Sequence, residues 1–159
     1  MIVEYSRGYN EDIKDLFLEL QTHIAKLDKE KYNIVTSEYR EKYFEKTMQE
    51  IEKNLGKMFL YVEGGNVLGL IVGMFYNDAT TSYDFKAPKR GKITELIVSK
   101  NARGKGIGKK LLQKEEGYLK LLGCSAILLD VFAYNEGAIE FYKKHGYNAR
   151  LIEMIKTNI

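Results

Sequence analysis

The chain has 159 residues and a slight formal charge of +3 at pH 7, with 45% apolar and 30% charged residues. This size fits one domain, residues 1–159, with a real hydrophobic core, and the composition excludes the disordered, collagen-like and fibrous classes. The charge lacks the strong basic footprint of a nucleic-acid-binding protein, so we expect no nucleic-acid partner.

The first third of the chain predicts one short strand and two helices. Residues 2–5 alternate as a strand does. From Asn10, which we expect to be the N-cap, apolar residues recur at helical spacing as far as residue 27. A second helix is predicted over about 37–54, with Gly56 ending it.

A hairpin follows the second helix. Residues 57–63 and 67–76 have the pattern of two strands, joined by a tight turn at Gly64-Gly65-Asn66. Gly69 and Gly73 inside the second strand predict bulges or a close backbone approach. The polar stretch 77–91 is longer than a hairpin needs, so it either shapes a site or forms an ordinary hairpin tip.

The second half of the chain alternates strands and helices. We predict a strand at 92–99, a glycine-rich loop, a helix over about 106–122, a strand at 125–132, a helix at 135–146 and a closing strand at 149–156. The order β-α-α-β-β-β-α-β-α-β describes a single-domain α/β protein, with a mixed sheet and helices on its faces.

The stretch 101–112, "NARGKGIGKKLL", carries the strongest functional signal. Its glycines follow a strand and open a helix, where free backbone N–H groups and the helix dipole favour an anion. The spacing does not fit a Walker P-loop, because Gly104 to Gly108 is one residue short and Lys110 replaces the Ser/Thr. The dinucleotide fingerprint fails as well, since Lys109 stands at its third glycine.

Two motifs together resemble those of the GCN5-related N-acetyltransferase superfamily. Residues 103–108, "RGKGIG", are similar to its R/Q-x-x-G-x-G/A loop. Residues 135–147, "NEGAIEFYKKHGY", resemble its N-x-x-A-x-x-x-Y-x-x-x-G-[FY] helix. The resemblance is specific over about 92–147, and before that only the order of elements agrees. It implies an acetyltransferase domain whose fourth and fifth strands splay apart, with acetyl-CoA as co-substrate.

The resemblance also implies roles for named residues. Strand backbone at Leu96, Ile97 and Val98 would contact the pantetheine arm. The Tyr142 hydroxyl would reach the CoA sulfur and protonate the departing thiolate, with Tyr134 a weaker candidate for the same neighbourhood. The pyrophosphate would be held by the backbone of Arg103, Gly104, Lys105, Gly106, Ile107, Gly108 and Lys109, and Asn135 would both cap its helix and contact the cofactor.

A general base must be sought among the carboxylates. Glu95 is the best candidate on the fourth strand, about 10 Å along the strand from Val98. There it would accept the amine proton directly or through water, attract a cationic substrate, or face solvent if the strand is bulged. Asp130 is the second choice. Nothing in the sequence suggests a metal cluster, so we expect no metal cofactor.

The expected location is the cytoplasm. Cys124 is the only cysteine, which suits a reducing compartment. Residues 1–10 lack the basic start and apolar stretch of a signal peptide. No apolar run approaches the ~20 residues of a membrane-spanning helix, so we expect no membrane partner.

We therefore expect an enzyme that transfers an acetyl group from acetyl-CoA to a primary amine of a small molecule, by direct attack in a ternary complex. Acetylation of a protein α-amine or lysine, and a non-catalytic CoA-binding module, are the alternatives. Acidic residues in the region that builds the acceptor site of the superfamily would suit a cationic amine, or would serve solubility alone; they are Glu38, Glu41, Glu45, Asp78 and Asp84. A homodimer is compatible with the resemblance.

Overall fold

A computed structural model describes residues 1–76 and 88–157 of the chain. Two short 3-10 turns, Arg7–Tyr9 and Lys100–Ala102, precede α1 and the glycine loop. The strands and helices are β1 (Ile2–Glu4), α1 (Asn10–Leu27), α2 (Tyr39–Lys53), β2 (Lys57–Glu63), β3 (Asn66–Tyr76), β4 (Arg90–Val98), α3 (Ile107–Leu121), β5 (Ala126–Leu129) and α4 (Glu136–Lys144).

The strands form one mixed sheet in the order β1-β2-β3-β4-β5. The first four strands pair antiparallel, and β4 pairs with β5 in parallel. The tight turn between β2 and β3 is confirmed: Gly64 and Gly65 have φ of 58° and 83°, the positive angles of a two-residue hairpin turn. The predicted single-domain α/β class with a mixed sheet is therefore confirmed.

Helices cover both faces of this sheet, and each face has its own core. On one face α1 and α2 pack on alternate residues of β2, β3 and β4, with the buried side chains Ile13, Leu16, Phe17, Phe44, Met58, Leu60, Leu70, Val72, Met74 and Ile97. On the other face α3 packs on the intervening residues, and α4 adds partly buried side chains; the buried set there includes Phe59, Ile71, Ile93, Ile107, Leu111, Leu112 and Leu119.

A bulge in β4 decides which face its later residues occupy. Glu95 is paired with Val72, but Ile93 is paired with the next residue of β3, Gly73, so Thr94 is extra. Ile93 accordingly packs in the α3 core, whereas Ile97 packs in the α1–α2 core. A bulge re-aims the side chains that follow it, and here it turns Glu95 toward α2.

The two glycines inside β3 mark the close approach that the sequence predicts. A Cβ at Gly69 would lie 2.7 Å from the carbonyl oxygen of Ile97, and a Cβ at Gly73 would lie 2.6 Å from Cδ of Glu115 on α3. Side-chain atoms are not found so close to other atoms, so only glycine fits at either position. Helix α3 can therefore lie close against β3.

Two predictions at helix ends are corrected. Asn10 is the first residue of α1, not its N-cap; that position is Tyr9, and the Asn10 side chain accepts a hydrogen bond from the Tyr5 hydroxyl at 2.9 Å. Beyond α2 the left-handed residue is Leu55, with φ of 51°, whereas Gly56 only donates its N–H to Ile51 O. The N–H of Phe75 binds Asn54 O in the same turn, so the end of α2 is bonded to β3 there.

The predicted closing strand is absent from the described residues: 149–157 have no strand, and Leu151, Ile152 and Met154 are 81–90% exposed. Alternating apolar residues specify a strand only when a neighbouring strand pairs with them. The loop predicted at 77–91 lies outside the described residues as far as residue 87. No helix in the described ranges is long and apolar enough to cross a membrane.

Candidate active site

The glycine loop begins where β4 ends. Gly104 and Gly106 have φ of 78° and 75°, the left-handed region that side chains disfavour, and Gly106 is the N-cap of α3. A Cβ at either residue would meet nothing within 4 Å. These two glycines are therefore explained by backbone conformation, not by crowding within the protein.

This loop presents free backbone N–H groups at the start of a helix. No hydrogen-bond acceptor within the described ranges meets the N–H groups of residues 103–106. The first helical N–H groups, from Ile107 to Lys109, precede the first α-helical bond, which Lys110 N donates to Gly106 O at 3.2 Å. The residues present therefore fit a phosphate group, since N–H donors and the positive end of the helix dipole favour one.

Glu19 on α1 fixes the entry to the loop. Its Oε1 accepts a hydrogen bond from the N–H of Lys100 at 2.9 Å and lies 3.5 Å from the Arg103 guanidinium. Arg103 Nε also donates to Val98 O at 3.0 Å. The Arg103 side chain is thus bonded to the fold itself, so its backbone is the part left for a ligand. Nothing local in the sequence indicates Glu19, which lies more than eighty residues away.

Strands β4 and β5 separate after four residue pairs. Arg90–Ile93 pairs with Ala126–Leu129, and β5 then ends. Beyond that point Leu96, Ile97 and Val98 remain paired with β3, but within the described residues no strand lies on their other side. The splayed strands that the family resemblance implies are therefore present, and the opening runs along β4 toward the glycine loop.

Glu95 is buried where the strands separate, with 6% of its surface exposed. Its Oε1 accepts a hydrogen bond from the Tyr43 hydroxyl of α2. Burial raises the pKa of Glu95 to about 7, although the Tyr43 hydrogen bond opposes that rise. A carboxyl group that titrates near neutral pH can exist as a base under ordinary conditions. The prediction left the side of the strand open, and the bulge places Glu95 inward.

Tyr142 lies on α4, where it packs edge-on against Phe141 and Tyr147, with ring centroids 5.3 and 5.6 Å away. Its hydroxyl has no hydrogen-bond partner among residues 1–76 and 88–157. Burial, and after it the negative charge of Glu95, raise its pKa to about 12. The Tyr142 hydroxyl is therefore neutral at ordinary pH.

Asn135 caps α4 as the sequence predicts. Its side-chain oxygen accepts a hydrogen bond from the N–H of Ala138 at 3.3 Å. This bond fixes the start of the helix that carries Tyr142, two turns further along.

The weaker candidates lie in other surroundings. The Tyr134 hydroxyl donates to Glu30 at 3.2 Å, and its ring lies under Lys29 Nζ at 4.4 Å. Asp130 is 85% exposed and pairs with Lys92 at 2.6 Å. Neither is buried as Glu95 is.

A cavity of about 230 Å³ opens beside α2; it is lined by Thr36, Glu38, Tyr39, Lys42, Tyr43 and Lys46. Two of the predicted acidic residues of this region are paired: Glu38 with Lys42, and Glu41 with both Lys14 and Arg40. They leave little uncompensated negative charge there. Glu45 is exposed, and Asp78 and Asp84 lie outside the described residues.

In the described parts of the chain no group of three His, Cys, Asp or Glu side chains is placed to hold a metal ion.

Comparisons with known proteins agree with this geometry. A family model described as the acetyltransferase (GNAT) family matches residues 22–147. An uncharacterized N-acetyltransferase of Methanocaldococcus jannaschii is 31% identical over 150 residues, covering 94% of this chain and 62% of that protein, so the chain spans less than two thirds of that relative's length.

Solved structures have the same fold. A candidate acetyl transferase from Pyrococcus furiosus superposes with a TM-score of 0.75 at 28% identity, with 99% of each chain covered. An aminoglycoside N-acetyltransferase in complex with CoA gives a TM-score of 0.67 at 14% identity, covering 99% of this chain and 100% of that one. At such low identity the second likeness concerns the fold alone.

Proposed function

Because this chain belongs to the acetyltransferase (GNAT) family, we propose that it transfers an acetyl group from acetyl-CoA to a primary amine of a small molecule, by direct attack in a ternary complex. The observation that carries this proposal is the buried carboxyl group of Glu95 at the point where β4 and β5 separate. Its charge acts on the Tyr142 hydroxyl, and the glycine loop with its N–H groups follows the end of the same strand.

Glu95 would serve as the general base. Attack on a thioester requires a neutral amine, and an alkylammonium group must first lose a proton. A carboxyl group with a pKa of about 7 is ionised in half of the molecules at neutral pH, and the carboxylate accepts that proton and becomes the neutral acid. Its burial also excludes competing water from the carboxylate.

Tyr142 would serve as the general acid. Its pKa, raised to about 12, keeps the hydroxyl protonated across the working pH range, and no side chain of the described residues takes that proton as a hydrogen bond. A free hydroxyl on a rigid helix is suited to donate its proton to a departing thiolate. The cap at Asn135 fixes the start of this helix.

The co-substrate acetyl-CoA would supply the acetyl thioester. Backbone N–H groups of the loop, from Arg103 through Lys109, would bind its pyrophosphate, and the unpaired edge of β4 at Leu96, Ile97 and Val98 would receive the pantetheine amides. Because these contacts come from the backbone, the side chains of Lys105 and Lys109, which are exposed, would add only charge.

A small molecule is the proposed acceptor, and the cavity of about 230 Å³ beside α2 has room for a compact amine. Acetylation of a protein amine is the second candidate. A non-catalytic CoA-binding module is disfavoured, because such a module would have no need for a buried base or a free acidic hydroxyl. A cytoplasmic location and a homodimer stay predictions from the sequence.

The test is release of free thiol from acetyl-CoA with a panel of polyamines, aminoglycosides, amino acids and short peptides. Wild-type protein and Tyr142→Phe would be compared, with calorimetric titration of acetyl-CoA on both. We expect acceptor-dependent release that falls about 10²-fold or more in Tyr142→Phe while binding is retained. Tyr134→Phe, whose hydroxyl bonds to Glu30, is the matched control and should keep wild-type rates.

Two results would overturn the proposal. If acetyl-CoA binds but no amine of the panel causes thiol release, the result would favour the non-catalytic module. Absence of binding would contradict the assignment of the glycine loop to pyrophosphate.

A further inference from the structure

The base proposed above has a partner that no local sequence pattern indicates. The hydroxyl of Tyr43, on α2, donates a hydrogen bond to Oε1 of Glu95, on β4, across 52 positions of sequence. The other carboxylate oxygen, Oε2, has no hydrogen-bond partner among the described residues. One oxygen of Glu95 is therefore fixed, and the other is left for a substrate proton.

Two ring contacts and one backbone hydrogen bond hold Tyr43 in place. Its ring stacks on Tyr39 with centroids 4.8 Å apart and planes 15° apart. Phe17 of α1 meets the ring edge-on at 5.3 Å and 88°, and Phe17 is fully buried. The carbonyl of Tyr43 also accepts a bond from Thr47 Oγ1 at 2.8 Å. A ring packed between an aromatic stack and a buried phenylalanine has little freedom to turn away.

Tyr43 also joins the base to the acceptor side of the molecule. The same side chain lines the cavity on α2 and reaches Glu95 in the core. The Tyr43 side chain therefore connects this cavity with the Glu95 carboxylate.

Several groups face Glu95, and some of them raise its pKa while others lower it. From α2, Tyr43 donates its hydrogen bond, Lys46 contributes positive charge and Glu50 contributes negative charge. The hydroxyl groups of Tyr39, also on α2, and Tyr142, on α4, have their pKa values raised by burial and then by the charge of Glu95. Of these, Tyr43 alone makes a hydrogen bond to the carboxylate.

We propose that Tyr43 is a positioning residue for the reaction: its hydroxyl holds Glu95 in the ionised form and aims the free oxygen at the acceptor amine. This inference rests on the proposed function, because it assumes that Glu95 is the base. It assigns a catalytic contribution to α2, whose role in such a fold would otherwise be limited to packing and acceptor binding.

The expected effect of Tyr43→Phe follows from the sign of the hydrogen bond. A hydrogen bond to the charged form lowers a carboxyl pKa, so its loss removes the largest effect that opposes desolvation and raises the pKa of Glu95. Activity that requires the carboxylate should then begin at higher pH. A shift of about one pH unit would lower kcat/KM about fivefold at pH 7 and leave it within about twofold at pH 9.

The experiment is the pH profile of kcat/KM for wild type, Tyr43→Phe and Tyr118→Phe. Tyr118 is the matched control, because its hydroxyl also donates a hydrogen bond, to Leu55 O at 2.6 Å, but it lies on α3, away from Glu95. The expected result is an acid limb displaced upward in Tyr43→Phe alone. A limb that stays in place, or a loss of equal size at every pH, would overturn the proposal.

A second measurement keeps the proposal testable if the protein transfers no acetyl group. The side-chain carboxyl carbons of ¹³C-labelled glutamate would be titrated by NMR in the full chain, with Glu95→Gln identifying the signal of Glu95. A higher pKa in Tyr43→Phe supports the positioning role whatever the activity. An unchanged pKa contradicts that role, whereas absent activity with a shifted pKa would contradict only the proposed function.

Discussion

Gly73 of β3 packs against Glu115 of α3, and the absence of a side chain on Gly73 makes room for the buried carboxyl group. The Glu115 side chain is fully buried, and neither carboxylate oxygen has a hydrogen-bond partner among the described residues. Burial raises its pKa to about 8, so the carboxyl group is largely protonated at neutral pH. The space it occupies is the space that a side chain on Gly73 would need.

We predict that Gly73→Ala destabilises the protein by about 2–3 kcal/mol, the cost of overpacking a rigid core. The loss should shrink when Glu115→Ala is added, because the new methyl group then meets a vacant site. Chemical denaturation of the two single variants and the double variant would measure a coupling energy of about 1–2 kcal/mol. Gly69→Ala is the control: its Cβ would meet the backbone oxygen of Ile97, so Glu115→Ala should not rescue it. Additive losses in the Gly73 pair would contradict this account.

The candidate site residues could be predicted only where their signal is local. Asn135 and Tyr142 lie in one motif, and Glu95 is a carboxylate on a predicted strand, so all three could be chosen from the sequence. The inward direction of Glu95 could not, because it depends on the bulge at Thr94, which alternation does not reveal. Tyr43 was missed because its hydrogen bond joins residues far apart in sequence.

At the scale of elements, the glycine loop and α3 act as one unit. The loop places two left-handed residues before the helix, so the first N–H groups of α3 continue a row of free donors. Such a row is sensitive to backbone strain, since the left-handed conformation costs a residue with a side chain roughly 1–2 kcal/mol.

We predict that Gly106→Ala weakens acetyl-CoA binding about tenfold, which corresponds to ~1.4 kcal/mol of that strain. Calorimetric titration would give the dissociation constant. Gly117→Ala is the matched control, since Gly117 lies within α3 at ordinary helical angles and a Cβ there meets nothing. It should leave binding unchanged and stabilise the helix by about 0.5–1 kcal/mol. Equal affinity of Gly106→Ala and wild type would contradict the role of the loop.

Elements with strong periodicity or turn chemistry were predictable, and those that depend on a distant partner were not. The two long helices, the Gly64-Gly65 turn and the three antiparallel strands after α2 follow from patterns within each segment. The prediction of a closing strand at 149–156 was wrong, because alternating apolar residues do not indicate which strand would pair with them. Leu55 in place of Gly56 shows the same limit: tertiary contact at the end of α2 decided which residue became left-handed.

At the scale of the whole molecule, the two faces of the sheet carry different groups of the candidate site. One face carries α1 and α2, with Glu19, Tyr43 and the cavity beside α2, and the other carries α3 and α4, with the loop N–H groups and Tyr142. The two faces meet at the opening between β4 and β5, because strand pairing stops there. A reaction that joins a bound thioester to an amine from the other side suits this layout.

The central claim is that amine acetylation depends on the buried carboxylate at this opening. The most direct measurement is acceptor-dependent thiol release from acetyl-CoA by wild type, Glu95→Gln and Glu115→Gln. Both substitutions replace a buried glutamate with an isosteric amide, but only Glu95 faces α2 and the opening. We predict a loss of about 10²-fold or more in Glu95→Gln, with acetyl-CoA binding retained, and wild-type rates in Glu115→Gln. Wild-type release by Glu95→Gln, or an equal loss in both variants, would contradict the claim.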